Sequence, residues 1–148
     1  MQLELALALP RQARSVVVAR HLVRAAMVEM GVTDECVHDI EVAVSEACTN
    51  VLEQTGPSQE WELRLQVLED RCVLRVVDIG QQRRRLRLAL PAYPSDEDAQ
   101  PGRGLQLLRA LADRVGFATL PERGAVVSLE KRLVYTQPDP APPPGAEA

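Results

Sequence analysis

Residues 61–80 read "WELRLQVLEDRCVLRVVDIG", two strand-like runs split by a very short break. The first, 61–69, alternates apolar with polar side chains, and the second, 72–80, begins directly after Asp70 and Arg71. A break that short lets a chain reverse but leaves no room for a crossover, so the pair is expected to form an antiparallel hairpin. This constraint sets the chain apart from doubly wound folds, in which each strand is followed by a helix.

The other segments arrange themselves around that hairpin. Residues 2–9, "QLELALAL", alternate as an edge strand would, and Pro10 stops it. Over 11–30, Val16–Val18, Leu22, Ala25, Ala26 and Met30 recur at helical spacing, and Gly31 suits a helix C-cap. Thr33 or Asp34 suits the N-cap of a second helix running to about Gln54, with Cys36, Val37, Ile40, Ala43, Val44, Ala47, Cys48 and Val51 as its apolar set. "TGPS" at 55–58 is a turn. Residues 81–101 are irregular, with room for a short strand around 86–90. Residues 102–116 open on glycines and continue as an amphipathic helix, and "FATL" and "GAVVSLEKRL" supply two closing strands. The order β-α-α-β-β-loop-α-β-β predicts an α+β two-layer sandwich: a mostly antiparallel sheet with three helices on one face. The domain is expected to occupy residues 1–135, and the Pro-rich stretch 136–148 to be a disordered tail.

Composition narrows the function. One Trp, two Tyr and one Phe are too few for base-stacking platforms, and a net charge of −4 is the wrong sign for a phosphate backbone, so direct nucleic-acid binding is not expected. Cys36, Cys48 and Cys72 lack metal-like spacing and read as small buried hydrophobes in a reducing compartment. His21 and His38 are isolated, which argues against zinc. No apolar run reaches membrane-spanning length and the start lacks a basic leading region, so the expected setting is cytoplasmic, away from the membrane. Of 17 basic residues only Lys131 is a lysine, and it stands in "SLEKRLV" with no glycine loop. A Walker P-loop and a eukaryotic-type kinase each need a phosphate-facing lysine, so both are excluded.

Three stretches could carry chemistry. In "EVAVSEACTN", Glu46 and Asn50 are one helical turn apart at the border of the apolar stripe. A carboxylate there could take a proton from an attacking hydroxyl, and an amide oxygen is a hard donor suited to Mg²⁺; a solvated helix face is the plain alternative. In "VVDIG", Asp78 ends a strand and could accept from an exocyclic amine, with Gly80 letting the chain pass close to a ring; a strand followed by a turn would look the same. In "PGRGLQLL", Gly102 and Gly104 open a helix whose free N–H groups and dipole suit an anion without a lysine, and Arg103 adds charge; a simple loop-to-helix junction is the alternative.

The order of these stretches resembles the GHKL (Bergerat-fold) ATP-binding superfamily, and within it the stand-alone anti-sigma factor serine kinases of the RsbW and SpoIIAB type. "SEACTNVLEQT" is similar to the family's N box and "VVDIGQQ" to its first glycine box. "GRGLQLLRALADRVGF" followed by "GAVVSLEKRL" is similar to its second glycine box and closing strands, so the resemblance spans about residues 8–133. The resemblance implies ATP and Mg²⁺ as cofactors. It makes Glu46 the general base toward a partner serine, Asn50 the Mg²⁺ ligand, and Asp78 the adenine reader with Gly80 beneath the ring. Gly102, Arg103, Gly104 and Leu105 meet the phosphates, and 81–101 is the ATP lid. It implies two protein partners, a sigma factor that is blocked and a STAS-domain anti-anti-sigma protein that is phosphorylated, and a homodimer. Gln82 departs from the family pattern by standing where a second glycine is usual, and Gln54 stands where relatives often have His. Gln82 motivates a second reading, a partner-switching module that binds without turning over ATP. Arg83, Arg84, Arg85 and Arg87 could face phosphates or an acidic partner, or form a solvated face. The catalytic half of a histidine kinase fits less well, because neither histidine carries a phosphoacceptor motif.

Overall fold

The computed structural model describes residues 2–53, 60–78, 103–120 and 124–136, with only the backbone path described for 103–105, 119, 120 and 124. Gln54, the turn at 55–58, Gly80, the lid at 81–101 with its arginines and the strand expected around 86–90, Gly102, and the tail beyond Thr136 lie outside the described residues. The elements are β1 (Leu3–Pro10), α1 (Ala13–Glu29), α2 (Asp34–Glu53), β2 (Glu60–Val67), β3 (Arg71–Val77), α3 (Arg103–Leu111), β4 (Arg114–Leu120) and β5 (Gly124–Arg132). The five strands form one sheet in the order β1-β2-β3-β5-β4, antiparallel at every pairing. With the three helices among the described residues, this is the expected α+β architecture.

The helix boundaries follow from local chemistry. Gly31 takes φ +83, a left-handed value that an L side chain resists, and so ends α1. Thr33 caps α2: its Oγ1 accepts from Cys36 N at 3.4 Å, and its carbonyl accepts from Val37 N at 2.8 Å. Asp34 and Glu35 add negative charge to the first turn, where the helix dipole favours it. The turn is braced from the far end of the domain. Thr33 N donates to Val134 O, and Thr136 donates to Gly31 O through both its N (2.7 Å) and its Oγ1 (2.6 Å). Thr136 is thus held to the domain, although the tail was expected to start there.

The core lies between helices and sheet. β1 alternates half-buried with exposed residues, placing Leu3, Leu5, Leu7 and Leu9 against the core as its edge position requires. Leu63, Leu65, Cys72, Leu74, Val76, Val127 and Leu129 from the central strands meet Val23, Met27, Ile40, Val44, Cys48 and Val51 from α1 and α2, and Leu108 from α3. Trp61 is fully buried, and its Nε1–H is satisfied by Pro10 O at 3.1 Å.

One boundary corrects the sequence reading. The third helix was expected to run over 102–116, but it ends at Leu111, and Arg114, Val115 and Gly116 begin β4. Pairing outweighs helix periodicity here. Val115 sits opposite Leu129, Asp113 N donates to Glu130 O at 2.8 Å, and Asp113 Oδ2 accepts from Arg132 N at 2.5 Å. Lys131 Nζ donates to Leu111 O at 2.6 Å and closes the helix.

Candidate functional site

α2 is the element on which the site is built. Its apolar stripe is buried from Cys36 to Val51, and it packs against α1, α3, β3 and β5. Such a helix is held on nearly every side, so polar residues bordering its stripe are fixed in place. Glu46 and Asn50 stand there, both half-buried, one turn apart. Asn50 Nδ2 is buried without a hydrogen-bond partner among the described residues. A buried amide proton left unpaired costs about 1–3 kcal/mol, so such a group in a native site calls for an outside partner.

Asp78 follows the last residue of β3 and is 0% exposed. Its backbone N donates to Ala125 O at 3.0 Å, which continues the β3–β5 ladder and fixes the position of the side chain. Oδ2 accepts from Arg11 Nη1 at 2.5 Å, while Oδ1 is buried with no partner among the described residues. Arg11 Nη2 also donates to Leu52 O at 2.8 Å. One guanidinium therefore joins the end of β3 to the last turn of α2, just beyond Asn50. Taking a carboxylate out of water is tolerable only with a counter-charge, and Arg11 supplies it. Sequence reasoning passed over Arg11, because a lone arginine between a strand and a helix carries no local signal of a partner 67 residues away.

The remaining expected site residues are only partly visible. Arg103, Gly104 and Leu105 form the first turn of α3, which packs against α2. Gly80 and Gly102 lie outside the described residues. Lys131, the only lysine, is occupied at the C-terminal end of α3 and lies 3.8 Å from Asp39. This agrees with its exclusion from a phosphate site. Cys48 and Cys72 are buried free thiols, each pushed up to about 12, chiefly by loss of hydration of the thiolate.

The donor set suits a hard divalent cation that brings its own ligands. Among the described residues no cluster of three or more His, Cys, Asp or Glu side chains could cage a metal. A cation here would rest on one or two protein oxygens, with phosphates and water completing its shell, which is how Mg²⁺ is usually held. The Asn50 side chain carries one such oxygen, Oδ1, and its Nδ2, unpaired among the described residues, is a donor that a phosphate oxygen would satisfy.

Comparison with known proteins agrees with this fold. Residues 9–131 match the histidine kinase-like ATPase domain model. The serine-protein kinase RsbW of Bacillus velezensis is 32% identical over 113 residues, covering 70% of this chain and 69% of that protein. RsbW of Bacillus subtilis is 30% identical over 133 residues, covering 84% and 82% respectively. In fold, the chain is similar to the crystal structure of the RsbU and RsbW domains of a Mycobacterium tuberculosis protein, with a TM-score of 0.67 at 18% identity. That match covers 88% of this chain but 32% of the longer one, so the chain spans about a third of that protein. The chain belongs to the histidine kinase-like ATPase domain family, and within it to the RsbW group of serine-protein kinases.

Proposed function

We propose that this chain is an ATP-dependent protein serine kinase and anti-sigma factor of a partner-switching system. It binds Mg-ATP, blocks a sigma factor, and phosphorylates a STAS-domain antagonist on serine. The observation that carries the reading is the pair of buried polar atoms that lack partners among the described residues, Asp78 Oδ1 and Asn50 Nδ2. Asn50 lies on α2 and Asp78 directly follows β3, and those two elements pack together. A buried polar group left unpaired calls for a partner from outside the chain, and a bound nucleotide would supply one to both.

In this reading Asp78 Oδ1 accepts from the adenine amine and Gly80 lies beneath the ring. Asn50 would hold Mg²⁺ through its amide oxygen, where the cation would supply charge neutralisation for the phosphates. The first turn of α3, with Gly102, Arg103, Gly104 and Leu105, directs backbone N–H groups at the phosphates. Glu46, one turn before Asn50, accepts the proton of the attacking serine hydroxyl. Phosphoryl transfer depends mainly on positioning and charge neutralisation, so no lysine is required. Residues 81–101 act as the lid, and the protein works in the cytoplasm as a homodimer.

The test is incubation with Mg-ATP and the cognate STAS-domain partner, read as phosphoserine on that partner. Stable complexes with both partners but no phosphoserine would favour the second reading, a binding-only module. Gln82 supports that alternative, because a side chain stands where the first glycine box usually has none.

A further inference from the structure

We infer that Arg11 is a positioning residue for purine selectivity, holding Asp78 Oδ1 in place to read a 6-amino purine. The inference rests on the nucleotide reading above and adds a residue to it. A free carboxyl can turn about χ2 and present either oxygen. Here Oδ2 is engaged by Arg11 Nη1 at 2.5 Å, and the same guanidinium is anchored to Leu52 O at 2.8 Å. The base of Arg11 is fixed as well. Pro10 O accepts from Trp61 Nε1 at 3.1 Å and from Gln12 N at 2.9 Å, which braces the β1–α1 junction. Only 21% of the Arg11 side chain is exposed, so the pair is largely shielded from water. Oδ1 is left buried, unpartnered among the described residues, and unable to trade places with its neighbour.

The chemical consequence is selectivity. Adenine offers an amine donor at ring position 6, whereas hypoxanthine and guanine offer a carbonyl oxygen. A carboxylate oxygen attracts the first and repels the second. Without the guanidinium, the buried carboxyl loses its orientation and its counter-charge. A carboxyl free to turn no longer holds Oδ1 against the amine donor, so the advantage of the 6-amino purine over a 6-oxo purine shrinks. Arg11 thus decides which purine is accepted as well as how tightly adenine is held.

The experiment is calorimetric titration of Mg-ATP and Mg-ITP into the wild-type chain, Arg11→Met and Arg11→Lys. The wild type should prefer ATP by a factor on the order of 10², the worth of a hydrogen bond to a charged group. In Arg11→Met that preference should fall below about tenfold, and in Arg11→Lys it should lie between the two, because an ammonium is a point charge without the planar fork. A merely structural role would lower the melting temperature and leave the ATP:ITP ratio unchanged; that result would overturn the inference and leave the nucleotide reading standing. A wild type that does not discriminate would overturn both. If Arg11→Met does not fold, Arg11→Lys decides: a fall of about threefold or more supports the inference, and the wild-type ratio refutes it.

Discussion

Lys131 Nζ donates to Leu111 O at 2.6 Å, so the only lysine in the chain closes the C-terminal end of α3. The cation sits where the helix dipole is negative and where the last carbonyls lack intrahelical partners. Its role is therefore structural. Lys131→Met should lower stability by about 1–2 kcal/mol in urea denaturation. Phosphoryl transfer by the folded variant should stay within about twofold of wild type, because the proposed phosphate site uses helix N–H groups and no lysine. Loss of transfer at full stability would return a lysine to the active site.

Glu46 has a different part. Glu46→Ala should bind Mg-ATP as the wild type does, while serine phosphorylation falls by about 10²–10⁴-fold, the usual worth of a positioned general base. Rapid-quench kinetics on the partner protein checks this. A rate equal to wild type would remove Glu46 from the chemistry.

Asp78→Asn exchanges one oxygen for an amine. In the proposed reading a donor then meets the donor of adenine, and the charge of the Arg11 pair is lost. ATP affinity should drop about tenfold or more, and stability should fall by about 1–3 kcal/mol. Unchanged affinity by calorimetry would mean that the base is read elsewhere.

The buried thiols give a pH signature. Cys48 and Cys72 are held near 12 in the folded chain against an ordinary value of 9.0. Between those values the unfolded chain has lost protons that the folded chain retains, so stability is fully present below pH 9.0 and declines as pH rises toward 12. The decline is about 1.4 kcal/mol per pH unit for each thiol. The Cys48→Ala/Cys72→Ala double variant should show a flatter profile over the same range, and a profile as steep as wild type would assign the effect to other groups.

Ser128 Oγ is fully buried in β5 and has no partner among the described residues. Replacing an unsatisfied hydroxyl with a methyl group removes a desolvation cost, so Ser128→Ala should be neutral or stabilise by up to about 1 kcal/mol. A loss of more than that would reveal a hydrogen bond that the hydroxyl makes in solution.

Much of the fold could be read locally. Gly31 and Thr33 mark the α1–α2 junction because each has a backbone role that few other residues fill. The hairpin of β2 and β3 follows from alternation and a short turn. The end of α3 was hidden, because Ala112, Asp113 and Arg114 contain no helix breaker and Val115 also falls at helical spacing. Only β5, arriving from further along the chain, draws Arg114–Leu120 into the sheet. Glu46, Asn50 and Asp78 could be proposed from the sequence because family motifs carry them. Arg11 could not, because its importance comes from a contact between residues far apart in the sequence.

The most direct test of the nucleotide pocket is a crystal structure with Mg²⁺ and a non-hydrolysable ATP analogue. The adenine amine should lie within hydrogen-bonding distance of Asp78 Oδ1, and the metal should be held by the Asn50 amide oxygen. An analogue bound elsewhere, or an adenine amine with no contact to Asp78, would contradict the account.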